Sequence, residues 1–263
     1  MTEHPMKAIA RRLDARNPLD DDDVAALNNV RCAITTHPPE SFLFREADRP
    51  GDYCSILLSG LAFRQKVTAH GKRQIVAVLM AGDFIDAQHL FLDRADHNLE
   101  AATAITVAEF SRHQFRDVIL NRPRVGVAAW KEALEEGAIF REWLVTVGAR
   151  PGPVRVAHFL CELGCRLERA GLASREDFIV PLTQEQIADV LGLTPVHVNR
   201  VLKSLVADGL ISQRGRSIQV SSWERLTVAG EFNPIYLGPS ARHDAHRAQH
   251  LPTSTLLRPR GQM

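Results

Sequence analysis

At 263 residues, with 45% hydrophobic and 24% charged side chains, the chain is long enough for two domains with their own cores and has an ordinary globular composition. Its 32 basic residues against 31 acidic give a formal net charge of +1, which excludes a protein that coats nucleic acid by bulk charge but allows one local basic surface. The four cysteines, Cys32, Cys54, Cys161 and Cys165, do not make a disulfide framework, and the longest apolar run, Ile75 to Ala81, falls far short of the ~18–20 residues that span a bilayer. The charged N-terminus, interrupted by Pro5 and Pro18, does not read as a signal peptide, so the expectation is a cytoplasmic chain with reduced thiols, away from membranes.

Residues 1–22 are polar and read as a loose N-terminal extension. The acidic run Asp20 to Asp23 then favours the start of a short helix near Val24 to Leu27. Residues 23–120 are expected to form a sensor barrel. Short runs such as Ser41 to Arg45, Tyr53 to Leu58, Leu61 to Thr68 and Arg73 to Met80 alternate with turn signals at Gly60, Gly71 and Gly82, the spacing of an antiparallel barrel or jelly roll. From Arg116 to Val147 the pattern becomes helical. Within it, residues 121–150 are assigned as a dimerisation helix, because Trp130, Ala133, Gly137, Phe140, Leu144 and Val147 step by three and four residues. Pro151-Gly152-Pro153 reads as a hinge, followed by an amphipathic helix from Val154 to Arg169 and a polar loop from Gly171 to Asp177.

Residues 151–230 are expected to carry a winged helix-turn-helix. Thr183 and Gln186 have the spacing of a capping box, and Gly192 ends the first helix. Thr194 caps the second, with Pro195 at its first position. At about 100° per residue, Val198, Val201, Leu202 and Leu205 share one side of the second helix. Val196, His197, Asn199, Arg200, Lys203 and Ser204 share the other, and Arg, Asn and small apolar groups are what a major groove accepts. The hairpin through Arg214-Gly215-Arg216 reads as a wing. Between Pro195 and Arg216, four cations (Arg200, Lys203, Arg214, Arg216) face the single Asp208, a net +3 in a chain that totals +1. That concentration of charge implies binding to double-stranded DNA. Residues 231–263, rich in His, Arg, Pro and Ser from Pro239 onward, are expected to be a disordered tail.

This order resembles the Crp/Fnr family of transcription regulators. The likeness is carried by Gly51-Asp52 through Ile56-Leu57, Gly60, Gly71, Gly82-Asp83 and Thr103-Ala104 through Glu109 in the barrel. It continues through Leu182-Thr183, Ile187-Ala188, Leu191 to Thr194, Val198, Arg200 to Leu202, Leu205 and Gly209 to Ile211. The resemblance implies an α+β protein with an N-terminal antiparallel β-barrel or jelly roll, a long dimerisation helix and a C-terminal winged helix-turn-helix. It implies a homodimer on a palindromic operator, working with RNA polymerase if it is an activator. Arg200 matches the family's guanine-reading arginine. Pro195-Val196 replaces the Arg-Glu of the type first described, so Val196, His197 and Asn199 are assigned as this chain's own base contacts. Thr183, Gln184 and Thr194 at the helix starts, and Arg214 and Arg216 on the wing, complete the expected DNA-binding set.

The effector stays unassigned. Ala95-Asp96 occupies the place of the Arg-Ser pair by which the cyclic-nucleotide branch grips a phosphate, which argues against cyclic AMP. Only Cys32 lies near the region where the oxygen-sensing branch clusters cysteines, which argues against an iron–sulfur cluster. Haem-binding members leave His89, His97 and His113 as candidate ligands, none singled out by spacing. His158, Cys161, Glu162 and Cys165 share a helical face, where a metal or redox site competes with simple packing of small apolar cysteines. Packing is preferred and no metal site is assigned. No enzymatic activity is expected, since no nucleophile stands beside a base at motif spacing. The alternative reading is a small-molecule-binding signalling module that acts on a protein partner.

Overall fold

The alternating runs between residues 32 and 111 become seven strands in the computed structural model, which describes residues 5–238. They are β1 (Cys32–His37), β2 (Phe42–Phe44), β3 (Tyr53–Ser59), β4 (Ala62–Val67), β5 (Arg73–Leu79), β6 (Asn98–Ala101) and β7 (Ile105–Ser111). They pair antiparallel in two sheets, ordered β1-β7-β3 and β2-β6-β4-β5. Leu57, Ile105 and Val107 from the first sheet pack on Ala62, Leu79, Leu99 and Ala101 from the second, and this shared interior closes the barrel. The sequence pattern by itself does not single out β1 or β6 as strands.

The expectation of a loose extension over residues 1–22 does not hold for residues 5–22, and residues 1–4 lie outside the described residues. α1 (Pro5–Arg16) is a helix whose Met6, Ile9, Ala10 and Leu13 are all buried. They recur at i, i+3, i+4 and i+7, so they form one apolar stripe despite the surrounding charges. α2 (Asp21–Asn28) is capped by Asp20, whose side chain accepts from the Asp23 backbone N–H while Asp23 returns the bond. The expected continuous helix is in fact two, α3 (Arg112–Asn121) and α4 (Pro123–Ala149). Pro123 causes the break, because it lacks an N–H and drives the residue before it out of helical geometry; Arg122 is extended at φ −121°, ψ 94°.

Beyond the hinge lie α5 (Gly152–Arg169), β8 (Asp177–Ile179), α6 (Gln184–Leu191), α7 (Pro195–Ala207), β9 (Ile211–Arg214), β10 (Ser217–Val220) and α8 (Trp223–Ala229). β10 pairs with both β8 and β9. The expected tail from residue 231 also needs correction. Residues 231–238 return to the core, with Leu237 buried and Phe232 packed among His158, Trp223 and Tyr236. Their apolar and aromatic side chains have a surface to cover, which the preceding periodicity gave no sign of. Residues 239–263 of that expected tail lie outside the described residues.

One carboxylate ties these parts together. Asp83, in the turn after β5, accepts from Arg12 of α1 (3.1 Å), from Arg166 of α5 (2.9 Å) and from the Met80 backbone N–H (2.9 Å). Arg12 also bonds Glu132 of α4 (3.0 Å), so α1, barrel, α4 and α5 share one charge network. Burial opposes ionisation of Asp83, but Arg166 and Arg12 outweigh it and hold the carboxyl below the usual range.

Because α1 is part of the core, Leu13→Ala is expected to cost about 2–5 kcal/mol of unfolding free energy in a urea titration. A loss under about 0.5 kcal/mol, as for a surface site, would contradict its burial.

Candidate nucleic-acid interface and sensor barrel

Local chemistry sets the two helices of the interface. Thr183 Oγ1 accepts from the Gln186 N–H (3.1 Å), and Gln186 Oε1 accepts from the Thr183 N–H (2.8 Å), closing the capping box at α6. Gly192 follows α6 at φ +63°, a left-handed conformation that glycine adopts without strain. Thr194 Oγ1 then accepts from the His197 N–H (3.2 Å), and Pro195 takes the first position of α7.

Ile187, Ala188, Val190 and Leu191 of α6 and Val198, Val201, Leu202 and Leu205 of α7 are buried together. The opposite side of α7 presents Val196, 78% exposed, with Arg200 and Lys203 also exposed and Asn199 half-buried. Thr183, Gln184 and Thr194 are exposed at the two helix starts. Arg214 and Arg216 are exposed at the tip of the β9–β10 hairpin, whose ends pair Arg214 with Ser217.

His197 departs from this set. It is half-buried, and its ring lies so close to Gly152 that any side-chain carbon at 152 would overlap it. Helical periodicity put His197 on the outer side; the hinge backbone, distant in sequence, occupies the space beside it. Arg155 of α5 braces the same corner. It donates to the Leu191 carbonyl at the end of α6 (2.9 Å) and to the Arg150 carbonyl (2.7 Å). Arg225 of α8 donates to the Asp208 carbonyl at the end of α7 (3.0 Å). Sequence spacing does not point to Arg155 or Arg225, since only the fold brings them to these helix ends.

The barrel touches this unit directly. Arg73 donates to Asp189 of α6 (2.7 Å), and Gln74 Nε2 donates to the carbonyls of Asp189 (2.6 Å) and Val190 (3.0 Å). Inside the barrel, Arg64 donates to the carbonyls of Phe84 and Ile85 (both 3.0 Å) and pairs with Glu136 of α4. Asp86 Oδ1 accepts from the Ser55 N–H (2.7 Å). His89 and His97 flank the Phe44 ring, with centroids 4.7 and 5.4 Å away, and His97 Nδ1 lies 2.7 Å from Asp96. Burial lowers the pKa of both histidines.

Along α4, Trp130 is 67% and Leu144 70% exposed, with Leu134 and Phe140 also open. Trp130, Ala133 and Phe140 line a cleft of about 1350 Å³ whose other walls include Phe91 and Leu92 of the barrel and Leu172 beyond α5. Gly137 and Val147 on the same helix are half-buried.

Two family models match this geometry: a cyclic nucleotide-binding domain over residues 34–122 and a Crp-like helix-turn-helix domain over residues 154–228. The chain is 29% identical to the transcriptional activator protein FnrL of Cereibacter sphaeroides, covering 79% of this chain and 84% of that one. It is 30% identical to the nitrogen fixation regulation protein FixK of Bradyrhizobium diazoefficiens, covering 65% and 70% respectively. The chain belongs to the Crp/Fnr family. The crystallised FixK2 of Bradyrhizobium japonicum superposes with a TM-score of 0.70 over 76% of this chain and 97% of that one, at 22% identity, which supports the shared fold. The protein is a DNA-binding transcription regulator of this family, with a cyclic-nucleotide-binding-type barrel joined to a helix-turn-helix. Among the described residues no helix is long and apolar enough to cross a membrane.

The His158, Cys161, Glu162, Cys165 constellation does not converge on one point. His158 Nδ1 donates to the Gly230 carbonyl (2.9 Å), and Glu162 accepts from Trp143 and Tyr236. Cys161 and Cys165 sit in the apolar core, where burial pushes both thiols up, Cys165 to about 11. Among the described residues no group of three or more His, Cys, Asp or Glu is placed to hold a metal ion. Buried in that core, Cys161 and Cys165 pack as small apolar residues.

Burial pushes the Asp86 carboxyl up to about 7, against the opposing pull of the Ser55 N–H and Arg64. A carboxyl that keeps its proton in the folded state to about pH 7, but loses it near 3.9 when unfolded, makes stability fall as pH rises between those values. Melting temperatures across that window should therefore decline less steeply in Asp86→Asn than in the wild type. Parallel curves would remove Asp86 as the cause.

Proposed function

We propose that this family member binds a roughly palindromic operator as a homodimer, each protomer laying α7 in a major groove, with half-sites one helical turn, ~34–36 Å, apart. The observation that carries the reading is the outer face of α7, where Arg200 and Lys203 are exposed beside Val196 while the opposite stripe is buried. Arg200 forks onto guanine, and Asn199 and Val196 meet neighbouring bases. Thr183, Gln184 and Thr194 at the helix starts, with Arg214 and Arg216 on the wing, hold phosphates. His197 takes a different part from the one the sequence suggested: packed on Gly152, it holds the start of α7 to the hinge.

The second protomer binds along α4. A stripe containing Trp130, Phe140 and Leu144 beside an apolar cleft is surface that an identical helix covers, and Ala133 lets the two backbones approach. The dimer works in the cytoplasm, contacts RNA polymerase where it activates, and catalyses no reaction.

Cyclic AMP does not fit the residues of this barrel. In the segment that would grip a cyclic phosphate, Arg94 donates to the Ala47 carbonyl (3.3 Å) and the Asp96 carboxylate engages His97. In the register of the family resemblance a carboxylate, Asp96, takes the place of the cation that a phosphate needs. An iron–sulfur cluster is not favoured either, because the four cysteines are split between two cores, Cys32 and Cys54 in one and Cys161 and Cys165 in the other, whereas such a cluster gathers its thiolates at one point.

Selection from random DNA should yield a two-fold operator. On it, Arg200→Ala is expected to cost ~1–3 kcal/mol and relax one base preference, whereas Lys203→Ala weakens binding evenly and lowers the salt slope by about 1. His197→Ala should weaken binding without changing the preferred bases. Equal losses for Arg200→Ala on selected and random DNA would sink the base-reading role. Independently, Leu144→Glu is expected to sediment as a monomer where the wild type sediments as a dimer; a dimeric Leu144→Glu counts against α4 as the seam.

A further inference from the structure

We propose that residues 231–238 form a latch across the hinge, and that Tyr236 is a positioning residue that sets the angle of the DNA-binding unit and hence the half-site spacing the protein accepts. The inference rests on the homodimer reading above.

After α8 the chain turns back toward the hinge. The Gly230 backbone lies against Ala157 and His158 of α5, too close to admit a side chain at 230. The Gly230 carbonyl accepts from His158 Nδ1, and Phe232 meets the His158 ring edge-on with centroids 5.2 Å apart. The segment then forms a single turn, Pro234–Leu237, that touches both α4 and α5. Tyr236 donates to Glu162 Oε2 (2.8 Å), and its hydroxyl lies 3.1 Å from His158 Nε2. Trp143 of α4 donates to the same carboxylate (3.0 Å). Arg169, at the far end of α5, donates to the carbonyls of Leu237 and Gly238. At the hinge itself, Arg150 pairs with Glu142 of α4 (2.5 Å) and with Glu231 of the returning segment (3.6 Å).

Glu162 is thus the shared point. It belongs to α5, is 1% exposed, and takes one donor from the dimer helix and one from the latch. Arg166 lies 3.6 Å from the same carboxylate and offsets its charge, but each donor lost still leaves an oxygen short of a hydrogen bond in a poorly solvating interior. The α4–α5 angle is therefore fixed by directional bonds as well as by apolar packing, which is less particular about direction. That angle carries through to DNA. α7 has 13 residues and is about 20 Å long, so turning it by about 10° moves its far end ~3.4 Å, one base-pair rise. In a dimer both recognition helices turn, and the spacing between half-sites changes with them.

The test uses the full chain and paired half-sites, taken from the selected operator and separated in single base-pair steps. Binding of wild type, Tyr236→Phe and Trp143→Phe is measured at every separation, with a melting curve for each protein. The wild type is expected to show one sharp optimum. Tyr236→Phe, which keeps the ring and removes only the hydroxyl, should reduce the preference for that optimum over its neighbours by about fivefold, the scale of one hydrogen bond. Trp143→Phe, which removes the other donor to Glu162, should broaden the optimum in the same way. If both variants bind more weakly by the same factor at all separations, or keep the wild-type profile, the latch is overturned and the segment is only structural. A wild type indifferent to separation would instead remove the two-fold dimer, and the latch with it.

Discussion

The arrangement depends on a half-buried carboxylate in a barrel turn. Burial opposes ionisation of Asp83, and it stays ionised because Arg12 and Arg166 reach it from segments on either side of it in the sequence. Removing either partner would leave the carboxylate with one cation where it now has two, so both contribute to keeping it ionised. Their joint requirement places α1 against α4, and α5 against the barrel, in one geometry. Apolar burial supplies most of the driving force for such packing, but it tolerates sliding; a shared carboxylate does not.

On that frame the DNA-facing parts are held from several sides. Arg155 closes the end of α6, His197 rests on Gly152, and Arg225 closes the end of α7. None of these needs to touch a base to matter for recognition. They fix where Val196, Asn199 and Arg200, the proposed base-reading residues, point, and a base contact is useful only when the helix that carries it arrives at a constant angle.

The legible parts of the sequence were those whose physics is local. Thr183 with Gln186, Thr194 with Pro195, and Gly192 each satisfy backbone groups within four residues, so both helices of the interface could be read directly. The buried stripe of α7 followed from periodicity alone. What escaped was non-local. β1 is a strand because it pairs with β7 more than sixty residues later, and its own residues carry little alternation. α1 had a proper apolar stripe, but the charges of Lys7, Arg11, Arg12, Asp14 and Arg16 hid it among polar neighbours. His197 was assigned outward by an angle that says nothing of what another segment places there. The four residues of the His158–Cys165 face were correctly put on one side of a helix, yet shared sidedness does not make a common centre. His158 and Glu162 found partners in Gly230, Trp143 and Tyr236, from segments the spacing could not foresee.

The contact between Arg73, Gln74 and α6 joins the β4–β5 hairpin to the helix that supports α7. It runs beside the α4 route, so the barrel has a second, shorter line to the DNA-binding surface. Thermodynamic linkage makes any such line two-way. A molecule that shifts the hairpin and thereby changes operator affinity must itself bind the operator-bound protein with affinity altered by the same factor. For any such molecule the operator would be the reciprocal effector, and a DNA-bound copy would take it up with a different affinity from a copy free in solution.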